Sequence, residues 1–477
     1  MSAPSPTDSL SAGAKAYIEA FAKRKDRLPG QDLPWLHKAR CDAIDFFSRS
    51  GFPTPRNERW KYTNVAAIEK RSFDLNLEFP LSSRTPFLGD LWTEGDDQAL
   101  RLVIDEGHIN PALSNLEGLP DGLLVQGLAQ TIDIESARQG KVPGFDAESV
   151  RQSLGAGFDL ESKFTRIAPA GNDAFCALNT ALMDEGAVIF APPGTVLERP
   201  LHLVFRTESG EKALFPRVLI VAGAGARISV VEHFSGPADA DYLENAVTEV
   251  DLAEGATLKY IKMQRAGAKS WHFATLRARL AAGAEFRSSA LSLGARLCRH
   301  DIDIELQGEG AQCSLDGLYL ADGRRHTDFR ANIEHISAHC KSEVYCKGIA
   351  GGRGRGVFNA RAHVHPNAQK SEAHQTNRNL LLAKEAEIDT KPQLEIHADD
   401  VQCSHGATVG QLDDQALFYL RSRGIDLDSA RAMLTLGFIR DIIERIEDPD
   451  LRKMIGSATL AHLPGMGLDG ELSEAFE

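Results

Sequence analysis

Several common features are scarce or missing in this chain of 477 residues. It has no run of about 18 apolar residues, the length a helix needs to cross a bilayer, so no transmembrane helix is expected. The opening stretch, "MSAPSPTDSLSAGAKAYIEAF", lacks a basic segment followed by an apolar one. No export signal is therefore expected, and the protein is read as cytoplasmic. Positive charge is short: 53 Lys and Arg against 67 Asp and Glu leave a formal charge of −14. Nothing general then attracts phosphate, so neither nucleic acid nor an anionic membrane is expected as a partner. Only seven cysteines occur, at 41, 176, 298, 313, 340, 346 and 403, and no two have CxxC spacing. Reduced thiols are expected, and a self-contained zinc or cluster site made from cysteine alone is not. Neither HExxH nor a Gly-x-Ser-x-Gly elbow is present.

What is present is a 43% hydrophobic composition, enough for a large core and for two or three domains. The first 70 residues have helical spacing, with Leu10, Ala14, Tyr17, Ile18 and Phe21 on one face. A second helix is expected from Pro34, suited to the first helical position, to just before Gly51. The loop at 51–64 holds Trp60, Lys61 and Tyr62, expected to pack it onto the next domain. Helical periodicity then fades, and Val, Ile and Leu alternate with polar residues. A Gly-Ala pair recurs at 225, 255, 283 and 310, separated by 30, 28 and 27 residues. Each is followed by polar, apolar, polar: "RIS", "TLK", "EFR", "QCS". A weak repeat of this length, built from short strands and Gly turns, marks stacked coils that bury a shared core. Ile228, Leu258, Phe286 and Cys313 would be equivalent inward positions on successive coils. A β-sandwich is the competing reading, but near-constant turn spacing favours a parallel β-solenoid.

After Gly410 helices return: one started by Asp413 or Asp414 and closed by Gly424, a second over "DLDSARAMLTLGFIRDIIERI", and a third opened by Asp448-Pro449. A loose acidic tail is expected from 463. The fold class expected is mainly β with flanking helices: an N-terminal helical region over 1–95, a parallel β-helix core over 96–405 and a C-terminal helical domain over 406–477.

Three stretches hold groups with chemical potential. "GGRGRG" at 351–356 lacks the Lys-Ser/Thr and following helix of a phosphate loop and is read as a turn. His363 and His365 alternate on a strand, so both imidazoles face one way. Glu372, the nearest following carboxylate, comes after Pro366 and a polar stretch and does not suit a metal motif. They are read as surface histidines, with His374 and His397 adding local histidine density. The third stretch is "ADDVQCSHGATVG" at 398–410, with Cys403 and His405 one residue apart. A nucleophilic dyad would need an orienting third group and an oxyanion site. One thiolate and one imidazole are too few for an iron–sulfur cluster, which usually takes four ligands. Any further ligands must come from distant residues or another chain. An exported-type β-helix polysaccharide lyase or hydrolase, and a stand-alone His-rich metal protein, stay open as alternatives.

The stretch "KPQLEIHADDVQCSHGATVGQLDDQALFYLRSRGI", followed by "ARAMLTLGFIRDII", resembles the SufB/SufD family of iron–sulfur cluster assembly scaffolds. "NERWKYTN", "FCALNTALMDEGAVIFAPPGT" and "QTNRNLLLAKEAEIDTKPQLEI" support the resemblance, and "CSHGAT" with "RWKYT" favours its SufD branch. The resemblance implies a right-handed parallel β-helix between helical regions and no turnover of its own. It implies pairing with SufB through the β-helices, docking of the ATPase SufC on the C-terminal helices, and a homodimer in isolation. It also implies that His405, with Cys403 ranked behind it, meets iron or a nascent iron–sulfur cluster at the SufB interface. No cofactor is expected in the isolated chain, and His363 and His365 inherit no role.

Overall fold

The computed structural model describes residues 10–75, 98–141, 158–208 and 210–463. The end of the expected N-terminal region, 76–95, and the tail beyond Leu463 lie outside the described residues. The helices are α1 (Ala12–Arg24), α2 (Pro34–Ser50), α3 (Ala66–Glu69), α4 (Leu128–Arg138), α5 (Leu160–Lys163), α6 (Ala174–Leu182), α7 (Asp414–Ser422), α8 (Leu427–Glu444) and α9 (Pro449–Leu460). The early strands are β1 (Leu100–Asp105), β2 (His108–Ile109), β3 (Leu124–Gly127), β4 (Gly186–Ala191), β5 (Leu201–Arg206), β6 (Ala213–Leu214) and β7 (Arg217–Ala222). The regular coils follow: β8 (Arg227–Ser235), β9 (Leu243–Leu252), β10 (Thr257–Arg265), β11 (Trp271–Leu280), β12 (Glu285–Ser292), β13 (Leu297–Leu306), β14 (Gln312–Ala321), β15 (His326–His335), β16 (Lys341–Ala350), β17 (Arg355–Val364), β18 (Glu372–Leu381), β19 (Glu387–Ile396) and β20 (Gln402–Gln411).

Odd and even strands separate. From β8 to β20 the even strands stack in parallel in a first sheet, and β9 to β19 stack in parallel in a second. This is a parallel β-solenoid, as the repeat predicts. The equivalence read from the repeat holds residue by residue: Ile228 pairs with Leu258, Leu258 with Phe286, and Phe286 with Cys313. All four are buried. Burying a side chain the size of Phe286 stabilises the fold by about 1.5–3 kcal/mol. The Gly-Ala pairs make the turns. Gly225, Gly255, Gly283 and Gly310 have φ between 62° and 70°, a left-handed conformation that suits glycine. The alanine after each is fully buried, so the turn anchors its coil. "GGRGRG" is a turn entering β17, as expected.

Helices cover both outer faces. On the second sheet, α1, α2 and α6 bury Tyr17, Phe47 and Phe175 against Phe215, Trp271 and Phe273. Trp60 fixes the loop at 51–64: its ring stacks on Phe175 at 5.2 Å, and Phe175 stacks on Phe273 at 3.9 Å. On the first sheet, α8 and α9 bury Ile439, Ile443 and Ile455 against Val231, Ile261 and Leu318.

The two ends of the solenoid differ. At the first end, antiparallel β2 and β3 terminate the sheets. Ile109, Leu116 and Leu119 lie against the core there. At the last end, β20 pairs only with β18 and β19 only with β17 among the described residues. Apolar side chains stay open to solvent on this last coil, Ile396 at 41% and Val409 at 44% exposure.

Candidate functional site

The open end is where Cys403 and His405 stand. The inward column that begins Ile228–Leu258–Phe286–Cys313 continues through Ser342 and Ala373 to Cys403. A second inward column runs Val230, Tyr260, Ser288, Leu315, Val344, Gln375, His405. Every earlier member of that column is buried, whereas His405 is exposed, because no described coil stacks upon it. The local sequence explains the geometry. Side chains two apart on a strand share a face, so both residues point along the core axis side, as alternation predicts. No hydrogen bond joins them among the described residues.

Cys403 is half-buried against the small cluster of Val364, Ala368 and Ala398. Burial pushes its thiol up, outweighing the opposing hydrogen bond from the Ala373 backbone. A protonated thiol is a poor ligand until a cation displaces the proton. Gly406 and Gly410 continue the strand, and a Cβ at either would meet nothing within 4 Å. The backbone here is open to close approach. Two three-donor clusters that could hold a metal ion occur among the described residues, and neither contains Cys403 or His405.

Those clusters set His363 and His365, read from the sequence as surface histidines, beside carboxylates of the neighbouring coils. Glu334 lies in direct register with His363 on the preceding coil, and Glu395 on the following one. The Glu334 Oε2 atom lies 2.6 Å from His363 Nδ1 and 2.8 Å from His365 Nε2. On the other side, Glu395 Oε1 lies 3.3 Å from His397 Nε2. The convergence was hidden because the carboxylates lie 29 and 32 residues away along the chain, one coil back and one coil on. Glu372, the nearest in sequence, sits on β18 in the other sheet and pairs with Lys341. The coil repeat was the signal that could have found Glu334 and Glu395. Burial works to raise the Glu334 carboxyl, but hydrogen bonds from His365 and Asn332 and the nearby His363 hold it below its usual value.

Among the described residues the solenoid thus has one covered end and one end where a thiol and an imidazole stand. The chain belongs to the SufB/SufD family of iron–sulfur cluster assembly proteins. Residues 205–438 match the family model described as "SUF system FeS cluster assembly, SufBD core domain", and residues 11–137 match "SufBD protein N-terminal region". The chain is 32% identical to the iron-sulfur cluster assembly protein SufD of Escherichia coli (strain K12), covering 87% of this chain and 90% of that one. It is 30% identical to an iron-sulfur cluster assembly SufBD family protein of Synechocystis, over 89% of this chain and 90% of that one. A chloroplastic protein of Arabidopsis thaliana, ABCI7, is 27% identical over 89% of this chain and 85% of its own. Membership sets aside the polysaccharide-lyase reading that a solenoid alone leaves open. Among the described residues, no helix is long and apolar enough to cross a membrane.

Proposed function

We propose that this chain is a non-catalytic scaffold subunit of a SufB–SufC–SufD complex. Its open solenoid end pairs with SufB, and His405, backed by Cys403, supplies ligands to iron or a nascent iron–sulfur cluster at that seam. The carrying observation is the second inward column, which ends in an exposed imidazole with no described coil beyond it. A partner's strand laid on this edge would complete both the sheet and the ligand set. In isolation the same edge favours a homodimer. The C-terminal helices dock the ATPase SufC. Their inner faces are occupied by the first sheet. On their outer side α7 buries no residue and exposes Phe418 at 75% and Tyr419 at 56%.

The test is anaerobic reconstitution of the full chain with SufB and SufC, followed by visible absorption and Mössbauer spectra. His405→Ala is expected to reduce cluster yield by about tenfold or more. Its effect on stability should stay within about 0.5 kcal/mol, because the side chain is exposed. Unchanged cluster yield would remove His405 from the site.

A further inference from the structure

We propose that Glu334, His363 and His365 form a second metal site, binding one divalent transition ion on the second sheet, separately from His405. The donor set is two imidazoles and one carboxylate from adjacent coils, with ligand atoms all within 4.8 Å of one another. This set suits Fe²⁺, Co²⁺ or Zn²⁺; it is too soft for Ca²⁺ or Mg²⁺ and lacks the sulfur that selects Cu⁺.

The surroundings are arranged as a metal site requires. Arg361 takes the outer oxygens of both carboxylates, Nη1 to Glu334 Oε1 at 3.2 Å and Nε to Glu395 Oε2 at 2.9 Å. That fixes Glu334 Oε2 and Glu395 Oε1 toward the imidazoles. His363 faces Glu334 with Nδ1, at 2.6 Å, and Glu395 with Nε2, at 3.9 Å. With Nδ1 as ligand, the proton of His363 sits on Nε2, on the side of the Glu395 carboxylate, which favours that tautomer electrostatically. Two carboxylates against one guanidinium leave a net negative site when the imidazoles are neutral.

Seating an ion opens the two contacts of Glu334 with the imidazoles only slightly. Bonds of about 2.1 Å in a tetrahedral site place neighbouring donors roughly 3.4 Å apart. The present separations of 2.6 and 2.8 Å then open by less than about 1 Å. The side chains of Glu334 and His363 are 21% and 16% exposed and that of His365 is 36% exposed, so the site can be reached from solvent. Three protein ligands leave positions for water, which suits an ion that exchanges rather than one locked in the fold.

The experiment uses the full chain after chelator treatment, without partner proteins. Co²⁺ is titrated by its visible bands, and Zn²⁺ and anaerobic Fe²⁺ by calorimetry. One ion per chain is expected, with a metal-dependent rise in Tm. Glu334→Gln and His365→Asn should each weaken binding at least tenfold and abolish the Tm rise, while His374→Ala, exposed on β18 of the other sheet, leaves both unchanged. His365 is the more exposed of the ligands, so its variant tests the site even if Glu334→Gln perturbs the fold. No binding, binding unaffected by His365→Asn, or binding lost equally in His374→Ala would each overturn the proposal. The second of these would reduce the cluster to a hydrogen-bonded network. Because no partner protein is present, failure here leaves the reading of the open end to its own test.

Discussion

Glu232 and Lys262 face each other inside the core on adjacent coils, Nζ to Oε2 at 2.9 Å. The Thr248 hydroxyl donates to the other carboxylate oxygen at 3.0 Å, and the ammonium lies 3.9 Å from the centre of the Phe234 ring. Lys262→Met leaves a buried carboxylate without its counter-charge, and a loss of about 3–5 kcal/mol is expected in urea unfolding. Lys262→Met with Glu232→Leu should recover most of it. The buried imidazoles give a second prediction. Burial holds His202 down to about 4 and His300 to about 3, below the ordinary 6.5. The stability of keeping them neutral is complete above pH 6.5 and is lost as pH falls through that range. His202 alone accounts for up to about 3 kcal/mol between pH 6.5 and 4. Glu244 acts in the opposite sense, since burial raises its carboxyl to about 8. Its contribution is complete below 4.5 and lost as pH rises toward 8; where the ranges overlap two imidazoles outweigh one carboxyl, so unfolding free energy measured across pH should peak at about 6.5. The rung residues Ile228, Leu258, Phe286 and Cys313 could be read from the sequence because the Gly-Ala turn fixes their phase. The pairing of Glu232 with Lys262 follows from the same 30-residue phase, whereas that of His363 with Glu334 lies past the last Gly-Ala pair and has to be carried forward coil by coil. Local alternation does not carry that information.

At the scale of the element, helix ends were the most readable feature, since capping is chemistry within a few residues. Pro34 opens α2 and Gly51 stops it. Asp413, Asp426 and Asp448 each accept backbone N–H bonds at the starts of α7, α8 and α9. Helical spacing did not reveal which surface an apolar stripe would cover. The stripe of α8 turns out to lie on the outer face of the first sheet, and the exposed aromatics belong to α7. Phe418→Asp is therefore expected to leave chemical unfolding within about 0.5 kcal/mol of the parent. Its association with the ATPase proposed to dock there, followed by calorimetry, should weaken by tenfold or more. Retained affinity would move the docking surface elsewhere.

At the scale of the whole molecule, helices pack the long faces of the solenoid and leave one end bare. Val409 sits on that end in the same inward alignment as Cys403 and His405. Val409→Lys adds a charge of the kind that protects natural sheet edges. If the proposed edge pairing holds, it is expected to leave the isolated chain monomeric in sedimentation equilibrium and to weaken the proposed pairing with SufB, with far-UV circular dichroism unchanged. The contrast between the two ends has a further consequence. A coil stack open at both ends would add subunits at each and grow into a filament. Here Ile109, Leu116 and Leu119 cover the core at the first end, so among the described residues the last coil is the uncovered end of the stack. In the pairing proposed above, two chains that meet there would use up the uncovered end of each, and the assembly is expected to stop at a pair.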